Sequence, residues 1–178
     1  MLDRDMSIVL QTERTEIREF AESDAPAFYR LGSDPEITRL THDPGGGFRD
    51  LDHAREILLS HPIADYARHG YGRWAVVHRE DREIVGFCGL KYLDDLDEVD
   101  LGYRFLPSHW GQGLATETGR AVLVHGFEKL GLEEIIALAL PENVASIRVM
   151  EKVGMRPAGT IEYDGTAAVR YVARIADM

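Results

Sequence analysis

The stretch that decides the fold is residues 98–116, EVDLGYRFLPSHWGQGLAT. In its first half, apolar residues alternate with polar residues or glycine, which predicts a β-strand with one buried face. The apolar positions of this strand are Val99, Leu101, Tyr103 and Phe105. Pro107 ends the strand, because proline cannot donate to a ladder of hydrogen bonds. A glycine-containing loop then leads into a helix predicted over residues 114 to about 130.

The glycine loop and the first turn of this helix predict an anion-binding site. Two glycines let the backbone turn tightly and approach a ligand closely. The first N–H groups of a helix have no intrahelical partner, and the positive end of the helix dipole lies behind them. A phosphate or pyrophosphate suits such a site. Its residues are Gly111, Gln112, Gly113, Leu114, Ala115 and Thr116.

Regular structure is predicted on both sides of this segment. Downstream, residues 135–140 form an apolar strand, and Asn143 caps a helix that runs to about Val153. Upstream, residues 74–78 and 84–90 form a hairpin. The other predicted elements are an opening strand region over 9–20, a helix over 25–31, a helix that Asp50 or Asp52 caps and that ends near Leu59, a loop over 44–47, and a last strand over 169–175. Strands mixed with helices predict an α/β or α+β fold.

Length, composition and charge exclude several classes of protein. The chain has 178 residues, 44% of them hydrophobic and 29% charged, which predicts one globular domain over residues 1–178. The net charge of −11 disfavours direct nucleic-acid binding. No apolar run reaches the roughly 18 residues of a membrane helix, and the first residues, MLDRD, are too polar for a secretory signal. A single cysteine, Cys88, predicts a reducing compartment and a buried packing role. We therefore expect a cytoplasmic protein without a membrane partner.

Three phosphate-binding motifs compete for the glycine loop. A P-loop requires Lys after the last glycine, but Leu114 follows Gly113. A dinucleotide-binding motif requires a third glycine where Thr116 stands. The third candidate ligand is the pyrophosphate of coenzyme A.

Three stretches carry a resemblance to a known family. They are WGQGLATE at residues 110–117, PENVASIRVMEKVGM at 141–155 and LQTERTEIR at 10–18. In that order they resemble the GNAT superfamily of N-acyltransferases, and in particular the bacterial ribosomal-protein N-terminal (alanine) acetyltransferases. The resemblance implies a single-domain fold with a mixed, mostly antiparallel central sheet, splayed at the CoA-binding strand and flanked by helices. Trp110 stands where the broad superfamily has Arg or Gln.

The resemblance also implies how acetyl-CoA binds as cosubstrate. The main chains of Phe105 and Leu106 would bind the pantetheine amides, and the glycine loop through Thr116 would bind the pyrophosphate. The CoA-binding core would span residues 98–156, including Asn143 and Ser146, and residues 22–73 would read the acceptor. Cations in this half are expected to offset the negative net charge. They are Arg104, Arg120, Arg148 and Lys152.

Amide formation from a thioester requires a base for the amine and favours an acid for the leaving thiolate. Asp100 and Glu98 lie on one face of the predicted strand. The resemblance implies that the acidic residue of Asp100-Leu101-Gly102-Tyr103 is the base, directly or through water, so Asp100, Glu98 and water all stay open. Many superfamily members have a Tyr as acid where Met150 stands here, and Met150 cannot donate a proton. The branch resembled has a Ser instead, which is Ser146.

The predicted function is N-acetyl transfer from acetyl-CoA to a primary amine, by direct attack in a ternary complex. The acceptor is a small-molecule amine or a peptide N-terminus, the protein is a monomer or homodimer, and no metal is expected because no cluster has ligand spacing. The alternatives are a non-catalytic CoA-binding module and a dinucleotide-binding oxidoreductase.

Overall fold

The computed structural model describes residues 7–41, 43 and 46–177. The strands are β1 (Ile8–Gln11), β2 (Thr15–Arg18), β3 (Arg73–His78), β4 (Ile84–Leu93), β5 (Glu98–Phe105), β6 (Glu134–Ala139), β7 (Arg156–Tyr163) and β8 (Thr166–Arg174). The α-helices are α1 (Ala25–Ser33), α2 (Pro35–Thr38), α3 (Leu51–Leu58), α4 (Ala64–His69), α5 (Leu114–Glu128) and α6 (Val144–Lys152). A π-helical turn, Leu59–Ile63, joins α3 to α4. Residues 1–5 and, in the predicted loop, Pro44 and Gly45 lie outside the described residues.

The strands form one mixed sheet in the order β1-β2-β3-β4-β5-β6-β8-β7. Every neighbouring pair is antiparallel except β5 and β6, which α5 connects as a parallel crossover. Strand β5 pairs with β4 along its whole length but meets β6 only at Asp100 and Ile136. The sheet therefore opens beyond Asp100, so the predicted splayed, mostly antiparallel sheet flanked by helices is confirmed.

The register of β5 decides which of its backbone groups face this opening. The N–H group of Leu106 donates to the Val85 carbonyl at 2.9 Å, so it points towards β4. Main-chain groups alternate between the two sides of a strand. Those of Tyr103 and Phe105 consequently point towards β6, into the space that the divergence of the two strands leaves.

The two faces of the sheet carry separate cores. One face packs against α5 and α6, where Leu101 and Leu114 are almost fully buried. The other packs against α1 and α3, where Leu58 and Ala75 are fully buried. Cys88 belongs to the first core, and burial raises the pKa of its thiol to about 12. Its predicted packing role is confirmed.

Several elements differ from the sequence predictions. The opening region is two strands, because the Thr12 and Thr15 side chains close a turn at 2.6 Å within it. Strand β7 was not predicted, since Pro157 and Gly159 interrupt its pattern. Helix α4 was also missed, because it continues from a π-helical turn that contains Pro62. Within the described ranges, no helix is long and apolar enough to cross a membrane.

Candidate active site

The glycine loop has the geometry of an anion cradle. Gly111 and Gly113 adopt the left-handed conformation, with φ of +71° and +80°, and α5 begins at Leu114. The N–H of Glu117 closes the first helical turn on the Gly113 carbonyl at 3.0 Å. The N–H groups of residues 114–116 precede that bond, so the helix does not use them. No described atom lies within 4 Å of a Cβ built at Gly111, which leaves the loop open to a ligand. These features fit a pyrophosphate group.

An arginine that the sequence analysis missed holds this cradle in place. From the turn between β1 and β2, the Arg14 guanidinium donates to the Gln112 carbonyl at 2.8 Å and to the Glu117 carboxylate at 2.7 Å. Burial acts to raise the pKa of Glu117, but hydrogen bonds from Thr12 and Arg14 outweigh it and lower the pKa. Arg14 therefore compensates a negative charge beside the proposed anion site. Its distance of about 100 residues along the chain left no local pattern to find.

The predicted cations divide between the two faces of the sheet. Arg120 and Lys152 line one groove together with Gly113 and Thr116, and Arg120 donates to the Lys152 carbonyl at 2.8 Å. Arg104 lies on the opposite face, where it binds the Leu31 carbonyl and the Asp43 carboxylate. The expectation that Arg104 assists the phosphate is therefore wrong. Arg148 is exposed on α6 and does not line the groove.

The main-chain groups of Phe105 and Leu106, the two predicted pantetheine partners, are partly occupied by hydrogen bonds within the protein. The Leu106 N–H donates to Val85, and its carbonyl accepts from the His109 N–H at 2.9 Å. The Leu106 N–H is therefore not free to donate to pantetheine, whereas the Leu106 carbonyl keeps a second lone pair. The Phe105 carbonyl accepts from Trp110 Nε1 at 2.8 Å. It keeps a second lone pair.

A cavity of about 580 Å³ lies at the sheet opening, between the helices α1, α3 and α4 and the start of α6. Three of the predicted site residues line it, namely Asp100, Asn143 and Ser146. Glu98 does not line it. The Glu98 carboxylate instead accepts hydrogen bonds from Arg170, which also approaches Glu134 at 3.4 Å. The structure thus separates the two candidate bases.

Asp100 is buried and paired. Its carboxylate accepts a hydrogen bond from Arg73 on β3, and the same guanidinium donates to the main-chain carbonyls of Asp100 at 2.9 Å and Gly89 at 2.7 Å. Burial raises the pKa of Asp100, while Arg73 and a backbone hydrogen bond from Leu138 oppose the rise. A Cβ at residue 102 would lie 2.3 Å from the Arg73 guanidinium carbon, which explains the glycine there. The sequence analysis missed Arg73.

Ser146 is fixed at the start of α6 by two partners. Asn143 accepts a hydrogen bond from the Ser146 N–H at 3.1 Å and donates its own amide to the Leu40 carbonyl at 3.0 Å. The Tyr103 hydroxyl donates to the Ser146 carbonyl at 2.8 Å and lies 3.0 Å from Ser146 Oγ. Burial raises the pKa of Tyr103, which keeps the phenol protonated. The sequence analysis placed Tyr103 on β5 and at the end of the motif that begins at Asp100, but gave it no role in the site.

A sheet opened beside a parallel strand, next to a glycine cradle and a polar cavity, is consistent with an acyl-CoA-dependent acyltransferase. Residues 14–156 match the acetyltransferase (GNAT) domain family. The chain belongs to this family and is an acetyltransferase, as the resemblance predicted. This assignment leaves no support for a dinucleotide-binding oxidoreductase.

Comparisons with individual proteins agree with this family assignment. The uncharacterized N-acetyltransferase p20 of Bacillus licheniformis is 30% identical over 154 residues, which cover 85% of this chain and 84% of p20. A GNAT-family acetyltransferase from Bacillus anthracis has a TM-score of 0.78 at 27% identity, covering 93% of this chain and 97% of that chain. RimL, a ribosomal-protein acetyltransferase solved with coenzyme A, has a TM-score of 0.81 at 18% identity, covering 97% and 100%. RimL shares the fold.

Proposed function

We propose that the protein transfers the acetyl group of acetyl-CoA to a primary amine, by direct attack in a ternary complex. The acceptor is a small-molecule amine or a peptide N-terminus. The observation that carries the proposal is that the opening beside β5 separates the glycine cradle from the cavity lined by Asp100 and Ser146. Residues 98–156 then form the acyl-CoA side of one domain, and residues 22–73 form the acceptor side.

The cradle and the edge of β5 bind the cosubstrate in this proposal. Acetyl-CoA, when bound, supplies a thioester carbon that an amine can attack. Residues 111–116 receive the pyrophosphate through N–H groups and the helix dipole. The backbone groups of Tyr103 and Phe105 face the opening and hydrogen-bond the pantetheine arm. Arg120 and Lys152 add positive charge at the mouth of the groove.

Asp100 is the proposed proton acceptor. An alkyl amine has a pKa near 10, so it must lose a proton before it attacks. Asp100 lines the cavity, whereas Glu98 is held by Arg170 outside it. A carboxyl pKa raised by burial is closer to the working pH of a base. Because Arg73 occupies one side of the carboxylate, a water molecule relays the proton.

Ser146 is the proposed donor to the leaving thiolate, and Tyr103 orients it. The hydroxyls of Ser146 and Tyr103 lie 3.0 Å apart at the edge of the cavity. A thiol has a pKa near 8.5, so much of the thiolate can leave without a proton. Loss of this donor should therefore cost less activity than loss of the base.

The experiment is an assay of thiol release from acetyl-CoA in the presence of a panel of primary amines. Mass spectrometry should show products heavier by one acetyl group. Asp100→Asn should lower kcat by about 10²–10⁴, the usual contribution of a general base. The loss should shrink at high pH, where more of the amine is already neutral.

Asp100→Glu is the matched control, since it keeps a carboxylate beside Arg73 and should retain most of the activity. Full activity of Asp100→Asn at neutral pH would show that the carboxylate takes no proton. Absence of acetylated product with every amine would refute the proposed function.

A further inference from the structure

We propose that Asp65 is a binding site for a second, cationic amino group of the acceptor. The preferred acceptors are then molecules with at least two amino groups, of which one is acetylated while the other is held as an ammonium ion. This inference rests on the proposed function, because it names the substrate class of the same cavity.

Asp65 is a buried carboxylate that the fold leaves without a direct partner. It lies in the first turn of α4 and is 8% exposed. Among residues 7–41, 43 and 46–177, no cationic group lies within 4.0 Å of it and no donor is hydrogen-bonded to its side chain. Its oxygens are not sealed, since in that part of the chain His78 Nδ1 is the only fully buried side-chain polar atom without a hydrogen bond. The carboxylate therefore opens onto the cavity that it lines.

Two other carboxylates that line the cavity form ion pairs with arginines of the protein. Asp43 receives Arg104 at 2.8 Å, and Asp100 receives Arg73. A buried carboxylate without such a partner is costly, because water no longer compensates its charge fully. An ammonium group of a ligand supplies the missing cation and hydrogen-bond donors. We therefore expect the ammonium group of a ligand to compensate the charge of Asp65.

The groups that face Asp65 at longer range do not replace such a ligand. They are His61, Lys91 and Tyr71. Burial lowers the pKa of His61, so its ring is neutral at pH 7. Burial also lowers the pKa of Lys91, and Arg73 lowers it further, while Asp65 acts in the opposite direction. Lys91 is the competing partner, and its distance from Asp65 exceeds that of an ion pair.

The position of Asp65 suits a ligand that spans the cavity. The reacting end is marked by Tyr103 and Ser146 on β5 and α6, whereas Asp65 comes from the helical wall that follows Pro62 and the π-helical turn. All of these residues line the one cavity of about 580 Å³, a volume typical of small-molecule sites, which run to about 300–1,000 Å³. The net charge of −11 also favours the approach of a cation.

The test compares diamines with monoamines of equal length. Rates are measured with the series from 1,3-diaminopropane to 1,8-diaminooctane and with the matching n-alkylamines. We expect the wild type to prefer diamines, with an optimum chain length. Asp65→Asn should raise the KM for the best diamine by about 10- to 100-fold, the contribution of a charged hydrogen bond. Its kcat/KM for monoamines and its Kd for CoA should not change.

Asp52→Asn is the matched control, because Asp52 lies on α3 with a side chain that is 92% exposed. It should leave the diamine preference intact. Calorimetric titration of the CoA-bound protein with the best diamine gives a readout independent of activity, and Asp65→Asn should weaken that binding.

Two results would overturn the inference while leaving the proposed function standing. One is equal use of diamines and monoamines by the wild type. The other is a loss with Asp65→Asn that is the same for both amine classes and comes with a lower Tm, which would show that Asp65 balances Lys91 instead. Failure of every amine to react would refute the proposed function itself, and the calorimetric titration would still decide the role of Asp65.

Discussion

Asp100 is a buried charge beside the proposed reaction centre, and the partly buried Arg73 compensates it. Removal of one partner of a buried pair leaves an uncompensated charge, which typically costs about 3–5 kcal/mol. The interpretation of Asp100 as a site residue came from its place in a strand that leads to a glycine loop. Arg73 could not be found that way, because it reaches Asp100 from β3 across the sheet, and a strand pattern reports the face of a residue but not its partner.

The contact between Tyr103 and Ser146 gives a prediction at this scale. Tyr103→Phe removes the hydroxyl that bonds Ser146 and should lower kcat by about 2- to 10-fold, the worth of one hydrogen bond. The KM for the amine should stay near its original value, since the ring remains. Steady-state kinetics with a saturating acceptor measure the effect.

Tyr163→Phe is the matched control, because Tyr163 lines the same cavity but is not bonded to Ser146. It should leave kcat unchanged. If Tyr103 acts through Ser146, the double variant Tyr103→Phe with Ser146→Ala should be no slower than Ser146→Ala alone. If the fold-loss of kcat in the double variant equals the product of the losses in the two single variants, the residues act independently.

At the scale of elements, β5, the glycine loop and α5 form a continuous unit that positions the anion cradle. This unit was predicted closely, because a period of two, a pair of glycines and a helical stripe of apolar residues follow each other without interruption. The Arg14 clamp, by which we mean the hydrogen bonds from Arg14 to Gln112 and Glu117, was not predicted. Arg14 forms these bonds from the β1–β2 turn, which is distant in sequence from α5. Strand β7 was missed because it contains Pro157, and α4 because it follows Pro62, and proline is typical of loops.

The Arg14 clamp gives a prediction for the cradle. Arg14→Gln should raise the Kd for CoA by about tenfold, because it frees the Gln112 carbonyl and leaves the Glu117 charge uncompensated near the pyrophosphate. Calorimetric titration with CoA measures the change. Glu117→Gln added to Arg14→Gln should restore part of the affinity by removing that charge.

Arg79→Gln is the control for this clamp. Arg79 also holds the turn, through the carbonyls of Thr12 and Glu13, but does not touch the glycine loop. Its Kd for CoA should match the wild type. A loss of affinity in Arg79→Gln as large as in Arg14→Gln would mean that the turn, and not the clamp, matters.

At the scale of the whole molecule, β5 and β6 pair only at Asp100 and Ile136, and in the proposed function the two substrates meet at the opening beyond this point. Family resemblance predicted this opening, whereas the cavity that we propose for the acceptor is formed by tertiary packing of α1, α3, α4 and the β7–β8 hairpin. No motif marked Asp65, whose proposed role rests on its burial, its lack of an ion-pair partner among the described residues and its place in the cavity wall. Cys88 supplies no covalent route, because it is fully buried and its thiol pKa is raised to about 12.

Initial-rate kinetics with both substrates varied test the central claim of direct transfer across this opening. If acetyl-CoA and the amine bind together, double-reciprocal plots at several fixed amine concentrations should intersect. Mass spectrometry of the protein incubated with acetyl-CoA alone should show no acetylated enzyme. Parallel lines together with a stable acetyl-enzyme would contradict the account, because they would require a covalent intermediate on the protein.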